Sequence, residues 1–328
     1  MVTKLSDNAH IGTYPPILHR YLSGIILLGI VLLGYGGYLF LQRPTVSVVM
    51  PVYNREKIVG ESIESILKQT FQDFEFIIVD DGSTDNTLAV VKKYAEQDSR
   101  IKIIVHEKNC GVGCARNTAQ RAARGQYLSI MDSDDIAVPT KLETQVQIMT
   151  DYPTIVATNG KEASFSTEIP MKQNVREYHF SELEKFSVEL FFYNWFGNSG
   201  AMIRRSFVVK NNIWYDETLA VGEDYDYWLQ IVFAGGRLMK TKEYMMRIRK
   251  TPGSAMSSPR VVPDTLLVKG RALERILGKN DIQSVYQETK SEQCDILSKI
   301  VAVPTMPDRL DKRVILEYYH KNCADMSQ

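Results

Sequence analysis

Three short acidic stretches hold most of the chemistry this chain could perform. The segment YLSIMDSDDIAVP, residues 127–139, runs apolar to Met131 and then sets Asp132, Asp134 and Asp135 within four positions. Carboxylates this close repel, and burial drives at least one towards its protonated form. A bound cation removes the conflict. Hard oxygen ligands of this kind suit Mg²⁺ or Mn²⁺, which keep several waters and bridge phosphates. Five histidines, none at H-x-x-H spacing, argue against zinc. A plain acidic loop before a helix with Pro139 near its first position is the structural alternative, but one carboxylate would serve that purpose. The stretch VDDGSTDNT (79–87) adds Asp80 and Asp81. A carboxylate at the end of a strand can accept the imide N–H of uracil or a sugar hydroxyl, although Asp81-Gly82 followed by Ser83 or Thr84 also reads as a turn and helix cap. In VGEDYDYWLQ (221–230), Glu223 and Asp224 open a helix with an apolar face of Tyr227, Trp228 and Ile231. The pair either complements the helix dipole or supplies a general base.

These groups need a scaffold, and the pattern around them describes one. TVSVVM (45–50), FEFIIVD (74–80), IKIIVH (101–106) and QYLSIM (126–131) read as strands, separated by helical stretches at 56–68, 85–97 and 113–124. Alternation at this spacing predicts a mostly parallel sheet built from βαβ units, an α/β fold. Ligands of such sheets bind at the carboxyl ends of the strands, where PVYN, DDGSTDN and DSDD all fall. NCGVGCARNTA (109–119) follows a strand and opens a helix, but Arg116 replaces the third glycine of a dinucleotide fingerprint. A glycine turn aiming Arg116 and Asn117 into the cleft fits it better. Further on, TIVATNG and SGAMIR read as strands and EDYDYWLQIVFAGG as a helix. After Pro263, polar helices at 270–278, 281–300 and 308–323 read as an appendage.

Taken together, VSVVMPVYNREKIVGESIESILKQTFQDFEFIIVDDGSTDNT, YLSIMDSDD and GEDYDYWL resemble the family 2 glycosyltransferases, inverting enzymes of the GT-A fold, over roughly Pro44 to Arg249. The resemblance implies a Rossmann-like, mostly parallel sheet flanked by helices, and a sugar moved from a nucleotide-diphosphate sugar, expected to be a UDP-sugar. It implies that Pro51 and Tyr53 flank the base, with Asn54 beside them, and that Asp81 pairs with it. It implies that Asp132 contacts the ribose or a metal-bound water and that Asp134 ligates Mg²⁺ or Mn²⁺, and Arg116, aimed into the cleft by its glycine turn, is expected to join the donor-binding set. The resemblance also implies that Asp224 is the base, with Glu223 beside it as a secondary candidate. Many relatives carry a histidine after the last core strand where this chain reads RIRKTPGS, so a histidine ligand is not expected, and Arg247 or Arg249 is expected to meet the diphosphate instead. A model-peptide aspartate titrates near about 3.9 and a helix N-terminus lowers that, so Asp224 is expected to be a weak base. The acceptor is expected to be a hydroxyl of a saccharide or lipid-linked molecule. A polyprenyl-phosphate glycosyl synthase, whose acceptor needs no base, and a non-catalytic nucleotide-sugar-binding adaptor stay open as alternatives.

Bulk properties set the remaining limits. Lys plus Arg and Asp plus Glu both total 39, which argues neither for nucleic acid nor for a polyanionic partner. Between Arg20 and Arg43, YLSGIILLGIVLLGYGGYLFLQ carries no charge over 22 residues; as a helix it would span about 33 Å, enough to cross a bilayer. The expected order is therefore a tail (1–20), a transmembrane helix (21–42), a glycosyltransferase domain (44–250) and a helical appendage (251–328). Cys110, Cys114, Cys294 and Cys323 make a poor disulfide framework at this length and read as free thiols. Charges on both sides of the apolar run leave its orientation open. Cysteine usage, with the bacterial setting of single-anchor relatives, gives an expected single-pass membrane protein with its catalytic domain on the cytoplasmic face.

Overall fold

A computed structural model of the chain describes residues 43–165 and 196–250, together with residues 190, 194, 259, 264–265, 267–269 and 271–272. The expected transmembrane helix at 21–42 and nearly all of the expected C-terminal helices lie outside the described residues. Among the described residues no helix is long and apolar enough to cross a membrane. The expected single-pass membrane localisation is corrected accordingly: the helices seen run to 11 residues at most and bury one face against a sheet.

The first half is a wound parallel sheet. Its elements are β1 (Val46–Val52), α1 (Val59–Leu67), β2 (Phe74–Asp80), α2 (Thr87–Gln97), β3 (Ile101–Val105), α3 (Val112–Ala122) and β4 (Tyr127–Ile130). β1 pairs in parallel with β2 on one side (Val46 opposite Phe74) and with β4 on the other (Val46 opposite Tyr127). Every residue of β1, β2 and β4 is buried, as strands covered on both faces must be. Alternate residues serve opposite faces: Val49, Ile77, Val79 and Leu128 join one core with Ala115 and Trp228, while Val48, Met50, Phe76 and Ile78 join another with Ile63 and Leu142. A glutamate is tolerated inside β2 because Glu75 takes hydrogen bonds from Ser47 Oγ (2.7 Å) and the Arg124 N–H (2.8 Å).

The second half adds β5 (Ile136–Ala137), α4 (Lys141–Asp151), β6 (Ile155–Phe165), β7 (Met202–Arg204), α5 (Arg205–Lys210), α6 (Glu223–Phe233) and β8 (Arg237–Arg249). The sheet order is β3-β2-β1-β4-β7-β6-β8-β5, and β7 runs antiparallel to both β4 and β6. From β1 the chain winds outward to β3 and returns to β4 on the other side. A crevice therefore opens past the carboxyl ends of β1 and β4, where such folds bind ligands. The expected strands and first three helices are present with ends shifted by up to three residues, except that the strand read at 154–160 runs on to Phe165. β5 was not read from the sequence because two residues carry no periodic signal. Residues 264–272 contribute Val268 and Ala272 to the main core, and Asp264 accepts the N–H groups of Ala220 and Val221, each at 3.1 Å, in the loop entering α6.

Candidate active site

The loops after β1 and β2 are stitched together side by side. The Asn54 N–H donates to Ser83 Oγ (3.1 Å), the Thr84 N–H to Asn54 Oδ1 (2.8 Å), and the Arg55 N–H to Thr87 Oγ1 (2.7 Å). Asn54 adopts a left-handed backbone, φ 51°, which asparagine tolerates better than most residues. Gly82 is required here: its φ is +69°, and a Cβ would come within 2.7 Å of the Lys108 carbonyl carbon. Pro51 lies buried in β1 opposite Val79, whereas Tyr53 is 40% exposed at the strand's end, an aromatic ring available for stacking. Asp81 lies beneath, 2% exposed. Its Oδ1 lies 2.8 Å from His106 Nδ1 and accepts the Cys110 N–H (3.1 Å); Oδ2 accepts the Gly111 N–H (3.0 Å).

Cys110 and Cys114 are not free thiols, as expected from the sequence, but a disulfide. The glycine turn between them brings their Cα atoms to 5.8 Å, inside the usual bridging range. The reading of the cysteines that supported a cytoplasmic placement goes with it.

Arg116 joins the two acidic sites. Buried to 5% exposure, it donates through Nη2 to Asp132 Oδ1 (2.8 Å) and through Nη1 to Glu223 Oε1 (2.5 Å), and lies over the Tyr215 ring at 5.4 Å. Burial works against its charge, but Asp132 and Glu223 more than offset that and raise its pKa. Its neighbour Asn117 turns away from the cleft, donating to the Tyr215 carbonyl (2.9 Å) and accepting the Tyr215 N–H (2.9 Å). Stacked Tyr215 and Tyr227, 4.1 Å apart, then fix α6 against α3, and the Tyr227 hydroxyl donates to Gln120 Oε1 (2.8 Å).

The three acids after β4 occupy different surroundings. Asp135 is buried and accepts the Arg249 N–H (3.0 Å); burial, then the Asp132 charge, pushes its pKa well up. Asp134 has 22% of its side chain exposed, with Arg55 Nη2 at 3.8 Å, and burial followed by the Asp132 charge raises it too. Arg249 donates to the Asp134 carbonyl (2.9 Å) and to Glu61 (2.7 Å). Arg247 stands opposite Ile136, the residue after Asp135, and is half-buried. These residues fit a hard divalent ion. Asp132 and Asp134 are oxygen donors, the Asp132 charge disfavours that of Asp134, and they form no closed cage, which suits an ion completed by waters and phosphates. Among the described residues the one convergent set of three possible ligand groups is His106, Cys110 and Cys114, whose sulfurs are joined to each other.

Asp224, at the start of α6, is half-buried; it accepts the Tyr225 N–H (2.7 Å) and a hydrogen bond from Asn194 Nδ2 (3.2 Å). Its pKa is pushed up to about 6, first by burial and then by the Glu223 charge, against an ordinary value of 3.8. The expected lowering by the helix terminus is thus corrected, because desolvation and a like charge outweigh the dipole. The sequence reading missed Asn194, Ser199, whose Oγ accepts the Asp132 N–H (3.3 Å), and Glu162, raised by burial beside Lys240 at 3.7 Å. The run NWFGNSGAM (194–202) offered a signal in its amides and glycines, but no charge drew attention to it.

A parallel sheet with a polar crevice at its switch point, extended by antiparallel strands that bring carboxylates to its edge, defines a GT-A-like α/β fold. The chain belongs to glycosyl transferase family 2, whose pattern matches residues 47–210, and it is a glycosyltransferase. It is 35% identical over 220 residues to an uncharacterized glycosyltransferase of Methanocaldococcus jannaschii, covering 64% of this chain and 72% of that protein. It is 44% identical over 104 residues to the Escherichia coli UDP-Glc:alpha-D-GlcNAc-diphosphoundecaprenol beta-1,3-glucosyltransferase WfgD, covering 32% of this chain and 40% of that one. Apart from the archaeal protein, the match thus spans well under two thirds of that relative's length. Among solved structures, S. aureus TarS 1–349 in complex with UDP-GlcNAc superposes with a TM-score of 0.62 at 22% identity, covering 86% of this chain and 88% of that one. The mannosyltransferase PcManGT of Pyrobaculum calidifontis, in complex with GDP-Man and Mn²⁺, gives 0.52 at 17% identity, covering 92% and 82%. At these identities the two structures speak for the fold.

Proposed function

We propose that this glycosyltransferase moves a sugar with inversion from a UDP-sugar to a hydroxyl of a saccharide or lipid-linked saccharide, in the synthesis of a cell-envelope polysaccharide or glycolipid. The observation that carries the reading is the Arg116 bridge: one guanidinium holds Asp132 on the donor side and Glu223, the residue before Asp224, on the other. That bridge sets the distance between a donor held at β4 and a base at α6.

In this reading Tyr53 stacks on the base and Asn54 shapes the loop beneath it. An ionised carboxylate offers about four lone-pair sites, so Asp81 has capacity for the imide N–H beside the chain's own donors. Asp132 holds the ribose, and Asp134 with Asp132 would hold Mg²⁺ or Mn²⁺. That ion, when bound, neutralises charge on the leaving diphosphate. Arg247 is placed near the acid loop to meet the diphosphate. Asp224 accepts the proton of the acceptor hydroxyl as it attacks. A pKa of about 6 suits that role better than an ordinary aspartate, being close to neutral pH yet ionised there. UDP and UDP-GlcNAc bound to TarS, and the lipid-linked saccharide in WfgD's name, support the substrate classes.

Asp224→Asn tests the reading. Transfer should fall by about 10² to 10⁴, the range for a general base, with UDP affinity within a factor of about three of wild type. A loss of affinity equal to the loss of rate would make Asp224 a donor ligand. A negligible rate loss would favour a lipid-phosphate acceptor, already an anion.

A further inference from the structure

Cys110 and Cys114 bracket the turn that opens α3, and Gly111 between them takes φ +97°, open to glycine and strained for other residues. The turn is also the clamp on Asp81: the Cys110 N–H reaches Oδ1 at 3.1 Å and the Gly111 N–H reaches Oδ2 at 3.0 Å. His106 Nδ1 stands 2.8 Å from the same Oδ1 and 3.3 Å from Cys110 Sγ. The transfer chemistry uses neither the disulfide nor His106. A covalent bond here closes a ring beside the carboxylate assigned to the base pocket and an imidazole.

We propose that Cys110 and Cys114 form a reversible thiol–disulfide site, and that closing it holds the Asp81 clamp in its nucleotide-binding shape. The coupling to nucleotide rests on the reading of Asp81 given above. Cys110 is exposed and Cys114 half-buried in the first turn of α3, so an external dithiol reaches Cys110 Sγ first. Its thiolate forms a bond to Cys110 Sγ as the Cys110–Cys114 bond breaks. The electron pair leaves on Cys114 Sγ, where the helix start favours a thiolate, which then takes a proton. The reductant's second thiolate displaces Cys110 Sγ, which is protonated in turn, and the reductant becomes a cyclic disulfide. The protein gains two electrons and two protons. Asp81 disfavours negative charge on Cys110, so Cys114 is the better leaving group.

With the bond open, Cys110 is tied to α3 through the backbone alone. Nucleotide binding must then order the turn, so the reduced protein binds more weakly, by roughly tenfold.

The test uses the full chain with UDP and GDP, each with Mn²⁺, as probes. Alkylation and peptide mapping report the state of Cys110 and Cys114; Cys294 and Cys323 fall in separate peptides. The expected result is a pair blocked to alkylation without reductant, labelled after dithiothreitol and blocked again on reoxidation. Amide exchange at Cys110 and Gly111 should rise on reduction as UDP affinity falls by about tenfold. The C110S/C114S double variant should show the reduced values whether or not reductant is present. Complete labelling with unchanged exchange and affinity would overturn the proposal, as would a pair that never closes under oxidant. If exchange responds but neither nucleotide binds in either state, the thiol site stands and the base-pocket reading of Asp81 is what fails.

Discussion

On the parallel side of the sheet, Glu75 and Asp85 sit below the ordinary carboxylate range, while across β4 the carboxylates of Asp134, Asp135, Glu162 and Asp224 sit above it. Burial raises all six. On the first side it is overcome: Lys102, Ser47 and the Arg124 N–H bind Glu75, and the Thr87 hydroxyl and N–H bind Asp85. Around those four too few donors face too many acids, and Asp132 adds repulsion for three of them, whereas Asp216, bound by Thr218 and Arg271, is lowered. The difference separates two tasks. Glu75, at the amino end of β2, serves the fold, while Asp85 ties together the loops that would cradle a base. Such a cradle is best built complete, since preorganised polar groups bind without reorganisation. A site for a cation and a migrating proton must keep negative charge in excess until its ligands arrive, and it does so at some cost to stability.

Asp134→Ala is the strongest way to break this comparison. Losing the ion's ligand should lower transfer by about 10³-fold or more, and the fold should survive because the side chain lies outside both cores. Excess chelator should reproduce the loss in wild type. Turnover unaffected by either change would remove the metal from the account.

Gly82→Ala probes the cradle. A Cβ 2.7 Å from the Lys108 backbone, with φ in the left-handed region, should cost about 1–3 kcal/mol of stability and weaken UDP binding by roughly tenfold. Urea unfolding and calorimetric titration measure both. Normal stability would mean that the loop yields easily and is not the rigid element described.

Asp224→Asn should do the opposite to the fold. A carboxylate whose folded pKa is raised from 3.8 to about 6 contributes stability below the unfolded value and loses it as pH rises through the folded one. At pH 7.5 the ionised form is therefore a burden, and asparagine should stabilise by about 1–2 kcal/mol, the pKa gap being discounted for solvent access. Below about pH 4 the advantage should vanish. A variant less stable than wild type at pH 7.5 would erase the contrast between the two sides.

The sequence made the cradle legible and the charged side only partly so. The β1 and β2 runs and the motifs ending them announce themselves because strand period, turn residues and caps are local signals. Asp134, Glu223 and Asp224 stood out as charges. That Arg116 would bridge Asp132 and Glu223, 107 positions apart in the second pair, depends on where α6 packs against α3, which no local pattern encodes. The pKa of Asp224 was misjudged for the same reason: the helix terminus is visible in the sequence, whereas the enclosing residues are distant along the chain. The disulfide escaped because a four-residue spacing gains its meaning only from the turn at Gly111.

The pH dependence of transfer in wild type and Asp224→Asn, at saturating donor and Mn²⁺, tests the central claim most directly. If Asp224 is the base, the wild-type rate should fall about tenfold per pH unit below about 6, as its carboxylate is protonated. The variant should be slow throughout and should lose that slope down to the pH at which Asp134 takes up its proton. A variant that keeps the wild-type profile at reduced height would place the titration on another carboxylate and contradict the assignment.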